Sequence, residues 1–258
     1  MVLTVDVGNT NIVFGGFEGE ELKFTSRIRT DKYQMRDEYS VKLLDLIRFY
    51  GYEPADFDGA IISCVVPPLI PVLKAAISQL IDGKVLVVSP GIKTGLNIKI
   101  DDPAIVGADL VCGCVGALAR KYPLPCVVAD LGTATKMLVL DKDGAFLGGM
   151  IAPGVNISMD ALSRNTALLP HIEFGKVGKV VGTNTVDCML SGIVYGTTCM
   201  LDGMVERMEA ETGMKLHVVL TGGISKSIAP YCKREYAFDE NLLLYGLFDL
   251  YKRNTRKK

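Results

Sequence analysis

Apolar and polar residues alternate at the start of the chain in a pattern typical of β-strands. This alternation predicts strands near 2–7, 11–17 and 22–28. The spacing of apolar residues then becomes helical, and helices alternate with buried strands up to the middle of the chain. The predicted elements are a helix ending at Gly51, a strand at 59–66, a helix whose first turn holds Pro67 and Pro68, a strand at 84–88 and a helix at 107–122.

The same order of elements begins again near residue 125. Strands are predicted at 126–130, 135–140 and 144–149. Long helices across 185–213 follow, then a strand at 216–220, a helix after 221–225, a short strand at 235–238 and a closing helix at 240–253. Three strands followed by alternating helices and strands therefore occur twice, which indicates a duplicated α/β fold. We predict two lobes, at 1–120 and 121–258.

Each half carries one short polar motif at the end of its first strand. "DVGNTN" begins at Asp6 and "DLGTAT" begins at Asp130. Glycine lets the backbone approach a ligand, backbone N–H groups can form an anion nest, and a carboxylate can hold the cation that neutralises phosphates. One such motif alone is typical of an ordinary hairpin. Its recurrence in matching places predicts two turns that grip a polyphosphate across a cleft.

Composition narrows the classes of function. The formal net charge of -1 argues against a nucleic-acid binder, because affinity for a phosphate backbone needs a basic surplus. The start of the chain lacks the basic region of a signal peptide, and no apolar stretch is expected to reach the length of a membrane-spanning helix. Seven scattered cysteines without a CxxC pair are typical of reduced thiols, which predicts a cytoplasmic protein.

Familiar catalytic and nucleotide-binding motifs are missing from the sequence. Neither His171 nor His217 lies in an HExxH motif or near an obvious nucleophile. A Walker A motif and a GxGxxG motif are also absent. A nucleotide, if bound, is therefore held by another device, and the two aspartate–glycine turns are the candidates.

Short stretches spread along the whole chain resemble those of one protein family. They include "DVGNTNIVFGG", "SCVVPP", "VGAD", "DLGTAT", "GGMIAPGVNIS", "VGTNTVDCMLSGIVYG", "VVLTGG" and "NLLLYGL". In order and spacing they resemble type III pantothenate kinases, which belong to the actin-like ATPase superfamily. The resemblance implies two duplicated ribonuclease H-like lobes with a nucleotide cleft between them.

The resemblance also implies a reaction and its participants. The reaction is ATP-dependent phosphorylation of pantothenate, the first step of coenzyme A biosynthesis. It would require magnesium and a potassium or ammonium ion, and the enzyme would be a homodimer. ATP and phosphate binding is implied for Asp6, Val7, Gly8, Asn9, Thr10, Asn11, Gly132, Thr133, Gly222 and Gly223. Asp6 would hold magnesium and Asp130 the monovalent cation. The acceptor pocket would be formed by Ile100, Gly107, Ala108, Asp109, Leu110 and Thr185, with Asp109 as proton acceptor.

Two of these residues also have a purely structural interpretation. Asp109 is expected in the first turn of a helix, where the helix dipole favours the ionised form that a base must have. It could equally be a plain helix-start aspartate. Thr185 directly precedes an apolar-periodic stretch and could serve as a helix cap, which is compatible with a substrate contact.

The chain departs from the family pattern at four positions. Leu110 replaces arginine in Gly-Ala-Asp-Arg, Ile100 replaces tyrosine, Ile105 replaces glutamate, and Lys136 replaces threonine at the end of the second phosphate turn. The first three fall in the acceptor-binding segment. Three interpretations stay open: a pantothenate kinase with a modified pocket, a kinase of a different small hydroxyl acceptor, and a non-catalytic nucleotide-binding or regulatory paralogue.

The fourth departure suggests a hypothesis of its own. The Lys136 ammonium could lie near the cation that Asp130 would otherwise bind and partly replace it. The alternative is a solvent-facing lysine on the far side of its strand.

Overall fold

The fold contains two five-stranded mixed sheets, as seen in a computed structural model that describes residues 1–255. The first sheet consists of β1 (Val2–Val7), β2 (Asn11–Glu18), β3 (Glu21–Arg29), β4 (Gly59–Cys64) and β5 (Lys84–Val87). Its strand order is β3-β2-β1-β4-β5. The first three strands form an antiparallel meander, and β4 and β5 continue the sheet in parallel to β1.

The second sheet repeats this arrangement. It consists of β6 (Cys126–Leu131), β7 (Ala134–Leu140), β8 (Phe146–Pro153), β9 (His217–Thr221) and β10 (Ala237–Phe238). The order β8-β7-β6-β9-β10 matches that of the first sheet strand for strand, with the same antiparallel and parallel pairings. The predicted duplication of an α/β unit is therefore confirmed.

Seven α-helices connect and cover the strands of the described chain. They are α1 (Arg36–Phe49), α2 (Leu69–Leu80), α3 (Ala108–Ala119), α4 (Val155–Arg164), α5 (Thr185–Thr212), α6 (Ser225–Ile228) and α7 (Leu242–Thr255). Short 3-10 turns lie at Pro54–Asp56, Pro103–Ile105 and Ala229–Tyr231. Apolar periodicity predicted every one of these helices except α4, and it predicted the strands to within a few residues.

The division of the chain into compact units differs from the predicted lobes at two places. Unit 1 comprises Met1–Leu96, Asp101–Lys121 and the chain from Asn241 onward, and unit 2 comprises Asn97–Ile100 and Tyr122–Glu240. The closing helix α7 belongs to unit 1 because its apolar face packs on α3, where Gly246 lies against the Cys112 carbonyl. Residues 97–100 belong to unit 2 because Ile98 bridges to Phe146.

Each unit has its own apolar core on one face of its sheet. In unit 1, Val5, Val7 and Phe14 pack with residues of α1 and α2. In unit 2, Val127, Ala129 and further strand residues pack with α4 and α5. The alternation along β1 and β6 leaves Asp6 and Asp130 on the face opposite the core in each case.

The long helix α5 corrects one expectation. Among residues 1–255 it is the one helix whose length and composition would allow it to cross a membrane. The expectation that no apolar stretch reaches that length was therefore wrong. This is weak support for a membrane span, because Ile193, Val194, Leu201 and Val205 are buried in the core of unit 2, and core helices pass the same test.

Candidate active site

The first aspartate–glycine turn lies at the carboxyl end of β1. Asp6 is flanked in the sheet by Val13 on β2 and by Ser63 on β4. The turn is closed by a 2.9 Å hydrogen bond from the Gly8 N–H to the Asn11 carbonyl. Asn9 and Thr10 at its tip are exposed. A carboxylate and a tight backbone loop therefore face the same strand end, as the sequence predicted.

Thr30, the residue that follows β3, holds this turn in place. Its hydroxyl donates a 2.7 Å hydrogen bond to the Gly8 carbonyl, and its N–H donates a 2.9 Å bond to the Thr10 carbonyl. Sequence reasoning missed this residue, because nothing in the pattern after β3 indicates that a threonine there reaches back to the first turn.

The second turn, at the end of β6, has the same plan. The Gly132 N–H donates to the Ala134 carbonyl at 3.2 Å, and Gly132 and Thr133 are exposed at the tip. Gly154 packs directly beneath them, since a Cβ atom at that position would lie 2.3 Å from the Thr133 carbonyl oxygen. Gly154 lies in the "GGMIAPGVNIS" stretch that supports the family resemblance, but its contact with the turn was not predicted.

Gly222 lies against the Asp130 carboxylate. It has a φ of +94°, and a Cβ atom there would lie 2.6 Å from Asp130 Oδ1 and 2.7 Å from the Leu131 carbonyl. Only glycine fits such a backbone conformation and such a close approach. Gly222 and Gly223 follow β9 directly, so the structure brings the "TGG" turn and the second aspartate–glycine turn together.

The carboxylate of Asp130 forms an ion pair with Lys136. The two residues are directly opposite in the β6–β7 ladder, and the distance from Lys136 Nζ to Asp130 Oδ2 is 2.6 Å. Each side chain is only 14% exposed. The expected alternative, a lysine facing solvent on the far side of the strand, is excluded by this geometry.

Asp109 occupies the first turn of α3. Gly107 caps the helix with non-helical backbone, Ala108 is its first residue, and Asp109 Oδ1 accepts a 3.0 Å hydrogen bond from the Leu110 N–H. A Cβ atom on Gly107 would lie 2.8 Å from the same oxygen. The small residue before Asp109 therefore leaves the room that its carboxylate occupies.

The structure brings Asp6 and Asp109 to the same part of unit 1. Burial raises the pKa of the Cys112 thiol well above its usual value, and the carboxylates of Asp6 and then Asp109 raise it further. The pKa of the Cys64 thiol is also raised, chiefly by burial, with a smaller contribution from Asp6. Both thiols therefore lie close enough to Asp6 to be affected by its negative charge.

The remaining predicted site residues are found as follows. Thr185 is the exposed first residue of α5, and its neighbour Asn184, rather than Thr185, is the cap that accepts a 2.9 Å bond from the Asp187 N–H. Ile100 is half-buried and lies near Gly148 within unit 2. Ile105 is 78% exposed, while Leu110 is partly buried.

No cluster of three or more His, Cys, Asp or Glu side chains that could hold a metal occurs in the part of the chain described here. Magnesium does not need one, because it usually keeps several waters and is bound through one or two carboxylates together with substrate phosphates. The Asp6 carboxylate beside a tight glycine turn fits an ion of that kind.

Fold and site together define a class of protein. Two copies of one α/β unit, each with a carboxylate and a glycine turn at the end of its first strand, form an actin-like ATPase fold of the kind found in ATP-dependent phosphotransferases. The solved structure of (R)-2-hydroxyglutaryl-CoA dehydratase component A from Acidaminococcus fermentans has the same fold. It aligns with a TM-score of 0.57 over 97% of this chain and 96% of that one, at 13% identity.

Sequence comparison then gives the family. The family model for type III pantothenate kinase matches residues 2–207. The type III pantothenate kinases of Halalkalibacterium halodurans and Moorella thermoacetica are each 41% identical to this chain over 255 residues, covering 99% of it and 100% of theirs. The chain belongs to the type III pantothenate kinase family, whose members catalyse ATP-dependent phosphorylation of pantothenate, and the family predicted from the sequence is confirmed.

Proposed function

We propose that this chain transfers the γ-phosphoryl group of ATP to the hydroxyl of pantothenate, using the two turns for the nucleotide and the start of α3 for the acceptor. The observation that carries the proposal is the matched placement of Asp6 and Asp130. Each lies on the non-core face at the end of the first strand of its unit, beside an exposed glycine turn.

Asp6 is the proposed magnesium ligand. Val7, Gly8, Asn9, Thr10 and Asn11 supply the backbone and side-chain donors around the phosphates in this proposal. Magnesium, when bound, neutralises phosphate charge. The chain's own contribution is a turn whose shape is set in advance by the Gly8–Asn11 hydrogen bond and by Thr30.

Asp109 is the proposed proton acceptor for the attacking hydroxyl. Like Asp6, it lies close enough to Cys112 to raise the pKa of that thiol, and it occupies the first turn of α3. A carboxylate is a group that can accept the proton of an attacking hydroxyl. Gly107, Ala108, Leu110, Ile100 and Thr185 are proposed to line the acceptor.

In unit 2, Gly132 and Thr133 are proposed to contact phosphate, and Gly222 and Gly223 to border the adenine. The contact between Gly222 and the Asp130 carboxylate supports this assignment, because it joins the two turns into one rigid surface. The resemblance also implies a monovalent cation at Asp130. The residues present do not fit it, since the Lys136 ammonium is already 2.6 Å from that carboxylate.

A homodimer is proposed from the outer face of α5. The exposed side of this helix carries Cys188, Gly192, Gly196 and Cys199, and a Cβ atom added at either glycine would meet nothing within 4 Å. Small side chains let a second helix approach closely. A second copy of the chain on this face would explain why so apolar a helix is incompletely buried.

Gel filtration with light scattering tests the dimer. Gly192→Glu is expected to shift the wild-type dimer to monomer, while Ala75→Glu, an exposed helical position in unit 1, leaves it unchanged. A wild-type monomer, or a dimer that tolerates Gly192→Glu, would contradict the assignment. We further propose a cytoplasmic location, because all seven cysteines are present as thiols rather than disulfides.

An ADP-release assay with and without pantothenate tests the proposed reaction. The wild-type chain should release ADP only when pantothenate is present, and other hydroxyl acceptors should be poorer. Asp6→Asn and Asp109→Asn should each lower turnover by roughly a hundredfold or more while leaving the melting temperature near that of wild type. ATP binding without ADP release for any acceptor would instead favour a non-catalytic paralogue.

A further inference from the structure

The ion pair between Lys136 and Asp130 occupies a special place in unit 2. Its carboxylate is in contact with the backbone of Gly222, and a Cβ atom on Gly132 would lie 3.4 Å from the same oxygen. The ammonium is therefore held at the base of two glycine turns, both proposed to contact the nucleotide. With each side chain only 14% exposed, the pair is not a mobile surface bridge.

The duplication supplies an internal comparison. Asp6 and Asp130 hold equivalent positions in the two sheets, but the residue opposite Asp6 on the neighbouring antiparallel strand is Val13, whereas the residue opposite Asp130 is Lys136. In the first sheet this cross-strand position is therefore apolar. Asp130 instead has a cation that is covalently part of the chain.

A bound monovalent cation at Asp130 would have to compete with this ammonium. The carboxylate oxygen is 2.6 Å from Nζ, so a second cation on it would be placed beside a like charge in a poorly solvated position. An alkylammonium is also chemically close to the ammonium ion itself, and it carries three N–H donors, enough to serve a carboxylate and a phosphate oxygen together.

We propose that Lys136 is a built-in cation of the second phosphate turn, positioned by Asp130, which contacts nucleotide phosphate and makes the chain independent of potassium and ammonium ions. The inference rests on the proposed function, because it assumes that this turn receives the nucleotide. Lys136 is thereby a nucleotide-binding residue, and Asp130 is a positioning residue.

Two measurements on the full chain test the proposal, each made in potassium chloride and in choline chloride at equal ionic strength. The first is the melting temperature with and without magnesium and ADP. The second is the rate of ADP release with pantothenate. For wild type, neither should differ between the two salts by more than experimental error, since no potassium site is left to fill.

Lys136→Thr should create the missing dependence. In choline chloride its KM for ATP should rise about tenfold or more, the loss expected for one charge-assisted hydrogen bond, and potassium should restore part of it. The nucleotide-bound variant should also gain a potassium-specific increase in melting temperature. Lys136→Arg, which keeps the charge, should remain independent of potassium.

Arg234→Thr is the matched control. It breaks another largely buried ion pair of unit 2, the one between Arg234 and Glu209, whose side chains are 21% and 16% exposed. It should lower the melting temperature without any response to potassium. If potassium also raised the melting temperature of Arg234→Thr, the potassium effect on Lys136→Thr would reflect weakened packing in general, and the inference would be overturned.

The outcomes separate the inference from the proposed function. A wild-type chain that phosphorylates pantothenate only with potassium present would overturn the inference and leave the function intact. A wild-type chain without ADP release in any salt would contradict the function, and the melting temperatures would then decide on the cation. The inference is supported if potassium raises the melting temperature of Lys136→Thr but not that of wild type. It is rejected if potassium changes the two melting temperatures equally.

Discussion

The hydroxyl of Thr30 and the carbonyl of Gly8 are joined by a 2.7 Å hydrogen bond. It links the end of β3 to the first aspartate–glycine turn, and together with the bond from the Thr30 N–H to the Thr10 carbonyl it anchors both ends of that turn. The turn is exposed at its tip, so this second point of attachment is what keeps its backbone donors aligned. Rigidity of the turn, rather than bulk stability, is therefore the expected contribution of Thr30.

Thr30→Val tests that role. The substitution keeps the shape but removes the hydroxyl, so the free energy of unfolding should fall by only about 1 kcal/mol. The KM for ATP should rise several-fold while that for pantothenate changes little. Thr255→Val removes a comparable hydroxyl bond, to the Tyr251 carbonyl, and should leave both constants unchanged. Equal kinetic effects of the two variants would show that Thr30 only stabilises the fold.

Gly222→Ala tests the contact with Asp130. The new methyl group would clash with the Asp130 carboxylate and the Leu131 carbonyl, so the second turn must move. We expect calorimetry to show an affinity for ADP that is lower by at least about tenfold. The free energy of unfolding should also fall by about 1–2 kcal/mol, because alanine is strained in this left-handed backbone conformation.

Gly91→Ala separates the two effects. Gly91 has a φ of +95°, nearly the same as Gly222, but a Cβ atom there meets nothing within 4 Å. It should therefore show the backbone cost and no change in nucleotide affinity. If both variants bound ADP like wild type, the assignment of Gly222 to the nucleotide site would be refuted.

Leu110→Arg tests the departure in the acceptor segment. Restoring the arginine should lower the KM for pantothenate about ten- to a hundredfold, as expected for a charge-assisted bond to a carboxylate, with a smaller effect on turnover. Leu110 is only partly buried at the start of α3, so an arginine can extend towards solvent. The KM for ATP serves as the internal control.

The exposure of Ile105 sharpens this experiment. Its side chain is 78% exposed, so Ile105→Glu should cost little stability. It can therefore be combined with Leu110→Arg and Ile100→Tyr in a triple variant that carries the family residue at all three positions. A folded, ATP-binding single variant and triple variant that both fail to phosphorylate pantothenate would count decisively against pantothenate as the acceptor.

A pH dependence is expected from the ion pair between Glu209 and Arg234. The Arg234 guanidinium lowers the pKa of Glu209 from 4.5 to about 2, and the Leu216 N–H contributes to the same shift. Because the folded pKa lies below the unfolded one, the stabilisation is fully present above the unfolded pKa. It is lost as the pH falls towards 2, and it amounts to at most roughly 3 kcal/mol.

Thermal unfolding measured from about pH 6 down to about pH 2 follows the effect across that window. Glu209→Gln should lower the melting temperature at the upper end and flatten its decline with acid. Glu211→Gln, at an exposed position of the same helix, should reproduce the wild-type curve. Parallel curves for wild type and Glu209→Gln would show that the pair contributes no linked proton binding.

The sequence by itself determined most of the architecture. Period-two and helical spacing located the strands and long helices, and the repeated aspartate–glycine motif revealed the duplication, because both signals are local and need only a few neighbouring residues. The same motif located Asp6, Asp130 and their turns. The ten-residue helix α4, which is separated from the end of β8 by one residue, was missed.

Only the tertiary structure decided how distant residues support those turns. Thr30 bonds to Gly8, Gly154 packs on Thr133, and Gly222 lies against Asp130. The helix α7 packs in unit 1. Each of these contacts joins segments that are far apart in the chain, and no local sequence pattern indicates which distant segment will be its partner. Lys136 shows the limit most directly. Its sequence neighbourhood allowed either a solvent-facing or an inward side chain, and the register of β6 against β7 placed it opposite Asp130, because strand register decides which face every residue occupies.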